Sequence, residues 1–332
     1  MAGTIQHQKK SRFFIPAVLI IPLLPAIVKS FYLSLGDISS YYQLYYFIGY
    51  KYGFGGRKLL GTIFDFVLPE HVGHRQLLPI IWSVNCLFLF LFIRFISKAI
   101  KNIKTTDVCY VAFFYYALWL VSPFSIVGYY SLGINVMFPE IWSMALTLLF
   151  IIIHDKYRDK WWYYLATLII GILCTLIHHV YCCLFFPLFV AIFLNDILTT
   201  LSINRKEAFF IFLKYTLISF FITLIFFTIW LYSKMNISID SLHEIICQRS
   251  SDTICTHDKE AINQMYYLSN HENTLNQAPN FRLRTIELVL TILVLLPLIT
   301  IITLPWIIAY KEAKDKIARW KYLSILLIPT LI

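Results

Sequence analysis

Residues 209–232 read FFIFLKYTLISFFITLIFFTIWLY, and this stretch decides the fold. Only Lys214 within it carries a charge. A helix of about 20 apolar residues crosses the ~30 Å hydrocarbon core of a bilayer, so the stretch is long enough to span a membrane. The basic pair Arg205 and Lys206 precedes it, and a long polar segment follows. The pattern predicts a transmembrane helix with a basic loop at one end.

Similar apolar runs occur along the whole chain, and they begin near Phe13, Pro79, Val108, Val136, Trp161, Val180 and Glu287. Hydrophobic residues make up 59% of the chain and charged residues 14%, a balance unlike that of soluble domains. We therefore expect an all-α fold, a polytopic transmembrane bundle of about eight or nine helices that forms a single domain over residues 1–332. The last apolar segment, residues 322–332, is too short to cross as a helix, which is consistent with a truncated C-terminus.

Basic residues mark every second loop between these runs. The loops are those with Arg94, Lys98, Lys101 and Lys104; with Lys156, Arg158 and Lys160; with Arg205 and Lys206; and with Lys311, Lys314, Lys316, Arg319 and Lys321. Cytoplasmic loops of membrane proteins carry an excess of Lys and Arg. The basic N-terminus, MAGTIQHQKKSR, is therefore expected in the cytoplasm, and the long segments 32–78 and 234–284 are expected outside it.

The net charge of +10 thus reports orientation in the membrane, and we expect no nucleic-acid partner. The first apolar stretch has no small-residue cleavage site, which favours an anchor over a removed signal peptide. Tyr, Phe and Ile are frequent and Ala is not, a composition compatible with an AT-rich bacterial genome. The expected location is the bacterial inner membrane, in contact with its lipids.

Both long outer segments are expected to carry function. The first contains YYQLYYFIGYKYGFGG and then LLGTIFDFVLP, which predicts a short interfacial helix. The second contains Cys247 and Cys255, which either form a disulfide in an oxidising compartment or remain two free thiols. The other five cysteines fall in apolar runs and are expected to pack as small hydrophobic side chains. No metal-ligand spacing occurs, so we predict no metal site.

Candidate residues for chemistry fall on the outer side. Asp37 follows the first span closely, where its carboxylate suits a general base or, alternatively, a turn or helix N-cap. The segment KYGFGGRKLLG combines glycines with Lys51, Arg57 and Lys58, a set suited to gripping a phosphate. The alternative for these cations is contact with anionic lipid headgroups.

Two further stretches bring polar residues to membrane depth. SPFSIVGYYSLGINVMFPE, residues 122–140, interrupts two expected helices, and its Asn135 and Glu140 are predicted to line a substrate cleft. Glu140 alternatively belongs to the first turn of a helix, where the dipole stabilises a carboxylate. His178 and His179 end the fifth span, and on a helix they would point about 100° apart, so we expect only His178 to face the site.

Together, a carboxylate, a cationic phosphate grip and an aromatic-rich loop fit the transfer of a sugar from a phosphate-linked lipid. With its cytoplasmic N-terminus, large first outer loop and acidic Asp37 after the first span, the chain resembles the GT-C superfamily of membrane glycosyltransferases. That resemblance implies a polyprenyl-phosphate-linked sugar donor and a catalytic Asp37. The segment KYGFGGRKLLGTI also resembles the cationic first-loop stretch of bacterial surface-polysaccharide membrane proteins. Of the paired acids often found in the first loop of that superfamily, the chain retains Asp37 alone, and His179 stands where an acid is expected.

The expected function is transfer of a sugar to a glycan or lipid-linked acceptor, on the extracytoplasmic face, in cell-surface polysaccharide synthesis. Two alternatives are an O-antigen or capsule-type polymerase and a transporter or flippase for a lipid-linked or anionic solute. A transporter is expected to repeat its broken helices in both halves, and only the segment 122–140 is interrupted in this way. The sequence identifies no cofactor, and it leaves a requirement for a divalent metal open.

Overall fold

A computed structural model describes residues 23–36, 40–69, 71–99, 139–179, 181–249 and 259–268. This part of the chain is mostly helical, as expected, with one short two-stranded ribbon. The predicted site residues Asp37 and Asn135 lie outside the described residues, as do Cys255 and the apolar runs near Val108 and Glu287.

The described elements are labelled in chain order. The helices are α1 Leu23–Gly36, α2 Ser40–Phe47, α3 Leu59–Asp65, α4 His74–Ala99, α5 Glu140–Tyr157, α6 Trp161–Ile177, α7 Tyr181–Leu184, α8 Phe186–Leu201, α9 Arg205–Tyr232, α10 Ile239–Arg249 and α11 Lys259–Leu268. A 3₁₀ turn, Tyr50–Tyr52, precedes strand β1, Gly53–Phe54, which pairs with strand β2, Lys234–Met235.

Two described helices are long and apolar enough to cross a membrane: Arg75–Phe95 within α4, and α9. Asn204 caps α9, because its side chain accepts hydrogen bonds from the backbone N–H groups of Lys206 and Glu207. Large apolar side chains remain exposed along α9, among them Phe209, Phe210, Phe212, Leu217, Phe220, Phe227 and Trp230. A helix surface this apolar matches a lipid environment better than water.

Helices α4, α5, α6, α8 and α9 pack against one another in the order α4–α5–α6–α9–α8. Their core is rich in aromatic rings: Phe150 stacks on Phe189 with centroids 3.8 Å apart, and Phe193 stacks on Tyr215 at 4.0 Å. The apolar run predicted near Val180 is not one continuous helix. It is divided into α7 and α8, and Pro187 lies in the first turn of α8, where its missing N–H costs nothing.

A buried polar network joins four of these helices, at the opposite end of the bundle from Glu140. The Tyr215 hydroxyl donates to Asp196 at 2.6 Å, and Arg158 contacts the other oxygen of the same carboxylate at 3.5 Å. His154 and the hydroxyl of Tyr163 are 2.9 Å apart. Because buried polar groups stabilise a fold only when they are paired, this network fixes α5, α6, α8 and α9 relative to one another.

The two segments predicted as long outer loops pack together. We call this unit the cap, and it comprises residues 40–69, 71–72, 234–249 and 259–268. Gly53 pairs with Met235 and Phe54 with Lys234 in the β1–β2 ribbon. Arg249 at the end of α10 donates to the carboxylate of Asp65 and, at 3.1 Å, to the carbonyl oxygen of Phe47. The first and second segments thus form one folded unit.

The helix predicted within LLGTIFDFVLP is present as α3. Leu60 and Phe64 are buried in the core of the cap, whereas Ile63, Phe66 and Val67 are exposed. Apolar side chains are thus exposed within the helix at Ile63 and directly after it at Phe66 and Val67, which is compatible with the bilayer surface. The second segment, in contrast to a simple polar loop, contributes α10 and α11, and Leu242, Ile246, Ile262 and Met265 are fully buried.

Candidate functional site

The glycine-rich turn after β1 holds Arg57 in an unusual backbone conformation. Arg57 has φ of 71°, the left-handed region that non-glycine residues rarely adopt, and such positions cluster at functional sites. Its guanidinium lies 5.7 Å from the centre of the Tyr45 ring, a cation–π contact across the cap. The backbone and the aromatic ring together fix where the positive charge lies.

Glu140 and His178 lie close together, although one begins a helix and the other directly follows the end of another helix. Glu140 is the first residue of α5, and α6 ends at Ile177, so that His178 has an extended backbone with φ of −151° and ψ of 110°. Glu140 Oε1 lies 3.6 Å from His178 Nε2. Both residues are buried, with only 6% and 5% of their surface exposed.

The two histidine side chains do not diverge as neighbouring residues of one helix would. Because the helix stops before His178, the geometry of a helix no longer separates the rings, and His178 and His179 stack with centroids 5.5 Å apart and an interplanar angle of 15°. Gly56 makes room for this pair: a Cβ atom there would come within 2.5 Å of His179 Nδ1. The turn that carries Arg57 therefore packs directly on the histidine pair.

Arg57 lies near this cluster, because its neighbour Gly56 packs on His179 and its guanidinium contacts Tyr45, the ring next to His178. The structure thus brings together three of the residues singled out in the sequence, Arg57, Glu140 and His178. It adds His179 and Tyr45, whose ring centre is 6.1 Å from that of His178. Tyr45 belongs to a tyrosine-rich stretch in which sequence alone does not distinguish one ring from another.

The site contains buried polar atoms that no hydrogen bond from the described residues satisfies. Glu140 Oε2, His178 Nδ1 and His179 Nδ1 have no hydrogen-bond partner among the described residues. Leaving a buried polar atom unsatisfied costs about 1–3 kcal/mol. Several such atoms beside a guanidinium indicate a place where a polar ligand completes the hydrogen bonding.

Lys58 and Lys51 contact other parts of the cap. The Lys58 ammonium is fully buried and donates to the Phe54 carbonyl oxygen at 3.3 Å and to Met235 Sδ at 3.0 Å. Burial lowers the pKa of Lys58 to about 8. Lys51 forms an ion pair of 2.9 Å with Asp65. Neither lysine contacts Glu140, His178 or His179 in the described part of the chain. The predicted phosphate role of Lys51 and Lys58 therefore gains no support from these contacts.

Two cavities adjoin the cap. One of about 490 Å³ is lined by Tyr50, Gly53, Phe54, Leu176 and Asn236. Leu176 belongs to the last turn of α6, so this cavity lies between the cap and that end of α6. The other, of about 400 Å³, lies between the two cap segments and is lined by Lys51, Asp65, Leu68, Pro69, His71, Ile245, Gln248 and Arg249.

Cys247 in α10 is disulfide-bonded, and its partner is not among the described side chains. The pairing with Cys255 therefore stays a prediction. Cys86, Cys174 and Cys182 are free thiols, and Cys174 is buried. Within the described ranges, no group of three or more His, Cys, Asp or Glu side chains is arranged to hold a metal ion.

No family model, curated protein or solved structure matches this chain. Function is therefore inferred from the residues of the site and from the cap that covers it.

Proposed function

We propose that the protein is an integral membrane glycosyltransferase that uses a polyprenyl-phosphate-linked sugar on the extracytoplasmic face of a bacterial inner membrane. The observation that carries this proposal is that the turn with Arg57 packs on His179, beside the Glu140–His178 pair, where the cap meets the ends of the helices. A phosphate leaving group requires a fixed positive charge, and a guanidinium binds a phosphate through two parallel hydrogen bonds. The acceptor hydroxyl requires a proton acceptor, and carboxylate and imidazole groups fill that role.

The surroundings of the site favour a substrate that is lipid at one end and sugar at the other. The cavity of about 490 Å³ has tyrosine and phenylalanine rings in its wall, and these suit the apolar faces of a sugar. The exposed apolar side chains of α9 continue to the end of that helix and suit a polyprenyl chain. On this proposal, about eight or nine helices span the membrane, and the cap covers the reaction from outside.

Asp37, the base that the sequence predicts, lies outside the described residues and stays a candidate for the same task. A polysaccharide polymerase would use the same groups, and its product distinguishes it from a single-sugar transferase. A transporter would carry its substrate without cleaving the sugar–phosphate bond.

The test is mass spectrometry of lipid-linked glycans from cells that express the wild-type chain, Arg57→Ala or Asp37→Asn. We expect Arg57→Ala cells to accumulate the lipid-linked donor, because loss of a charge-assisted contact of about 1.5–3 kcal/mol weakens donor binding by roughly ten- to hundredfold. Arg75→Ala is the matched control, because Arg75 is exposed at the start of α4. Identical glycan profiles in wild-type and Arg57→Ala cells would contradict the proposal and favour a transporter.

A further inference from the structure

We propose that Glu140 and His178 act together as the proton acceptor of this transfer, an inference that rests on the proposed function. The geometric basis is that the two side chains come from separate elements, α5 and the end of α6, yet lie with Oε1 and Nε2 only 3.6 Å apart. Each keeps a second polar atom, Glu140 Oε2 and His178 Nδ1, without a hydrogen-bond partner in the described part of the chain. A purely structural ion pair is expected to satisfy those atoms as well.

The local backbone supports a binding role for the pair. Arg57 lies in left-handed backbone directly after Gly55 and Gly56, and a Cβ at Gly56 would collide with His179. This packing brings the turn that carries Arg57 directly against the histidine pair. A strained residue, a close glycine contact and two unsatisfied buried side chains at one point together indicate a site built for a ligand.

The proposed step transfers one proton and one sugar group. The acceptor hydroxyl gives its proton to the Glu140–His178 pair while its oxygen forms a bond to C1 of the donor sugar. The bond between C1 and the phosphate oxygen breaks, and its electron pair stays on the phosphate. Arg57 neutralises the charge that develops there, and the pair later releases its proton to water. No other reactant is needed.

The two members of the pair have different tasks in this arrangement. His178 is held between the Tyr45 ring and the ring of His179, which fixes the orientation of its imidazole. Glu140 faces Nε2, where a carboxylate stabilises the positive charge that the imidazole gains when it takes a proton. His178 Nδ1 is therefore the atom that faces the hydroxyl, and Glu140 stabilises the protonated ring.

The decisive experiment measures turnover in membrane vesicles, with the lipid-linked donor that accumulates in Arg57→Ala cells as the substrate. We expect His178→Gln and Glu140→Gln each to lower kcat by at least about a hundredfold, the usual contribution of a general base, and to leave the donor KM within about threefold. Arg57→Ala is expected to show the opposite split, with a raised KM. His71→Gln, an exposed histidine of the cap, is the matched control.

Folding of each variant is checked by its binding of polyprenyl phosphate, which depends on Arg57 and not on the pair. If one of the two variants fails to bind this lipid, the other decides, because the proposal requires both residues. Turnover within tenfold of wild type in either folded variant would overturn the inference, and loss of turnover in Asp37→Asn alone would assign the base to Asp37. In both cases the proposed function stands if Arg57→Ala still accumulates the donor.

Discussion

At the scale of single residues, Gly56 shows how closely the arginine turn packs on the histidine pair. We expect Gly56→Ala to destabilise the protein by about 1–3 kcal/mol, because the added Cβ would lie 2.5 Å from His179 Nδ1 and the ring must move. Thermal unfolding in detergent measures this cost. In the double variant Gly56→Ala/His179→Ala the collision is removed, so its stability is expected to match that of His179→Ala alone. Additive losses would show that the glycine is needed for another reason.

Lys58 makes stability depend on pH. Burial lowers its pKa in the folded state to about 8, from 10.5 when it is unfolded. Between these values the unfolded chain binds more protons than the folded one, so stability rises as pH increases from about 8 to about 10.5. Below pH 8 the buried charge costs roughly 3 kcal/mol. Lys58→Met is therefore expected to stabilise the protein at pH 7, and its advantage is expected to shrink by pH 10.

The melting temperatures of wild type and Lys58→Met, compared at pH 7 and pH 10, test this prediction. Lys234→Met, an exposed lysine on strand β2, is the control for general loss of positive charge. A constant difference between wild type and Lys58→Met at both pH values would mean that the Lys58 ammonium is charged to the same extent in the folded and unfolded states.

Sequence reasoning anticipated some of these residues and not others, for a physical reason. Glu140 and His178 were expected on one face because hydropathy and charge place the ends of apolar runs, where both residues lie. Arg57 was expected there because its segment, 32–78, joins two such ends on that face. Arg57 contacts Tyr45, whereas Lys58 contacts Phe54 and Met235. This difference depends on the left-handed backbone at Arg57, which sequence composition does not predict. The stacking of His178 on His179 depends in the same way on where α6 ends.

At the scale of elements, the cap depends on a small cluster of charges. Asp65 at the end of α3 pairs with Lys51 through one oxygen and with Arg249 of α10 through the other. The side chain of Arg249 is only 10% exposed, whereas that of Lys51 is 51% exposed. The Arg249 pair is thus the contact that joins the first cap segment to the second, and Lys51 adds little to it.

We expect Asp65→Asn to destabilise the cap by about 3–5 kcal/mol, because it leaves the buried Arg249 guanidinium without a compensating charge. Lys51→Gln is the matched comparison, with an expected loss below about 1 kcal/mol, since an exposed pair is screened by solvent. Limited proteolysis near α10 and α11, together with thermal unfolding, measures both variants. Equal losses in the two variants would contradict the division between a buried and an exposed pair.

The cap also shows what hydropathy can and cannot predict about elements. The helix in LLGTIFDFVLP was recognisable because apolar residues recur on one side of it, and α3 is present. The helices α10 and α11 were missed because their mean polarity resembles that of a loop. Their buried residues are few and are covered by the first segment, which is a tertiary effect. The β1–β2 ribbon, two residues a strand, leaves no periodic signal.

At the scale of the whole molecule, the described helices divide into a cap end and a far end. α4 begins directly after the cap and α9 ends directly before β2, so these two candidate spans run in opposite directions. Lys98 at the end of α4 pairs with Asp155 near the end of α5, which brings the basic loops of both helices to the far end. Arg158 directly follows α5, and α9 begins with Arg205 and Lys206. All three basic residues therefore lie at the far end. In the described part of the chain, most of the basic residues that flank the long helices therefore lie at the far end.

This distribution predicts that the far end is cytoplasmic and the cap extracytoplasmic. In a Cys86→Ser parent, which lacks the exposed free thiol of α4, we expect a membrane-impermeant maleimide to label Ser241→Cys from outside intact spheroplasts. Ser202→Cys, exposed after α8, is expected to react only after the membrane is opened, because it lies at the far end. The disulfide of Cys247, on the same helix as Ser241, agrees with an oxidising environment around the cap. Labelling of Ser202→Cys in intact spheroplasts, with Ser241→Cys protected, would invert the orientation and place the Arg57 site in the cytoplasm, where a nucleotide-linked donor would replace the polyprenyl-phosphate sugar.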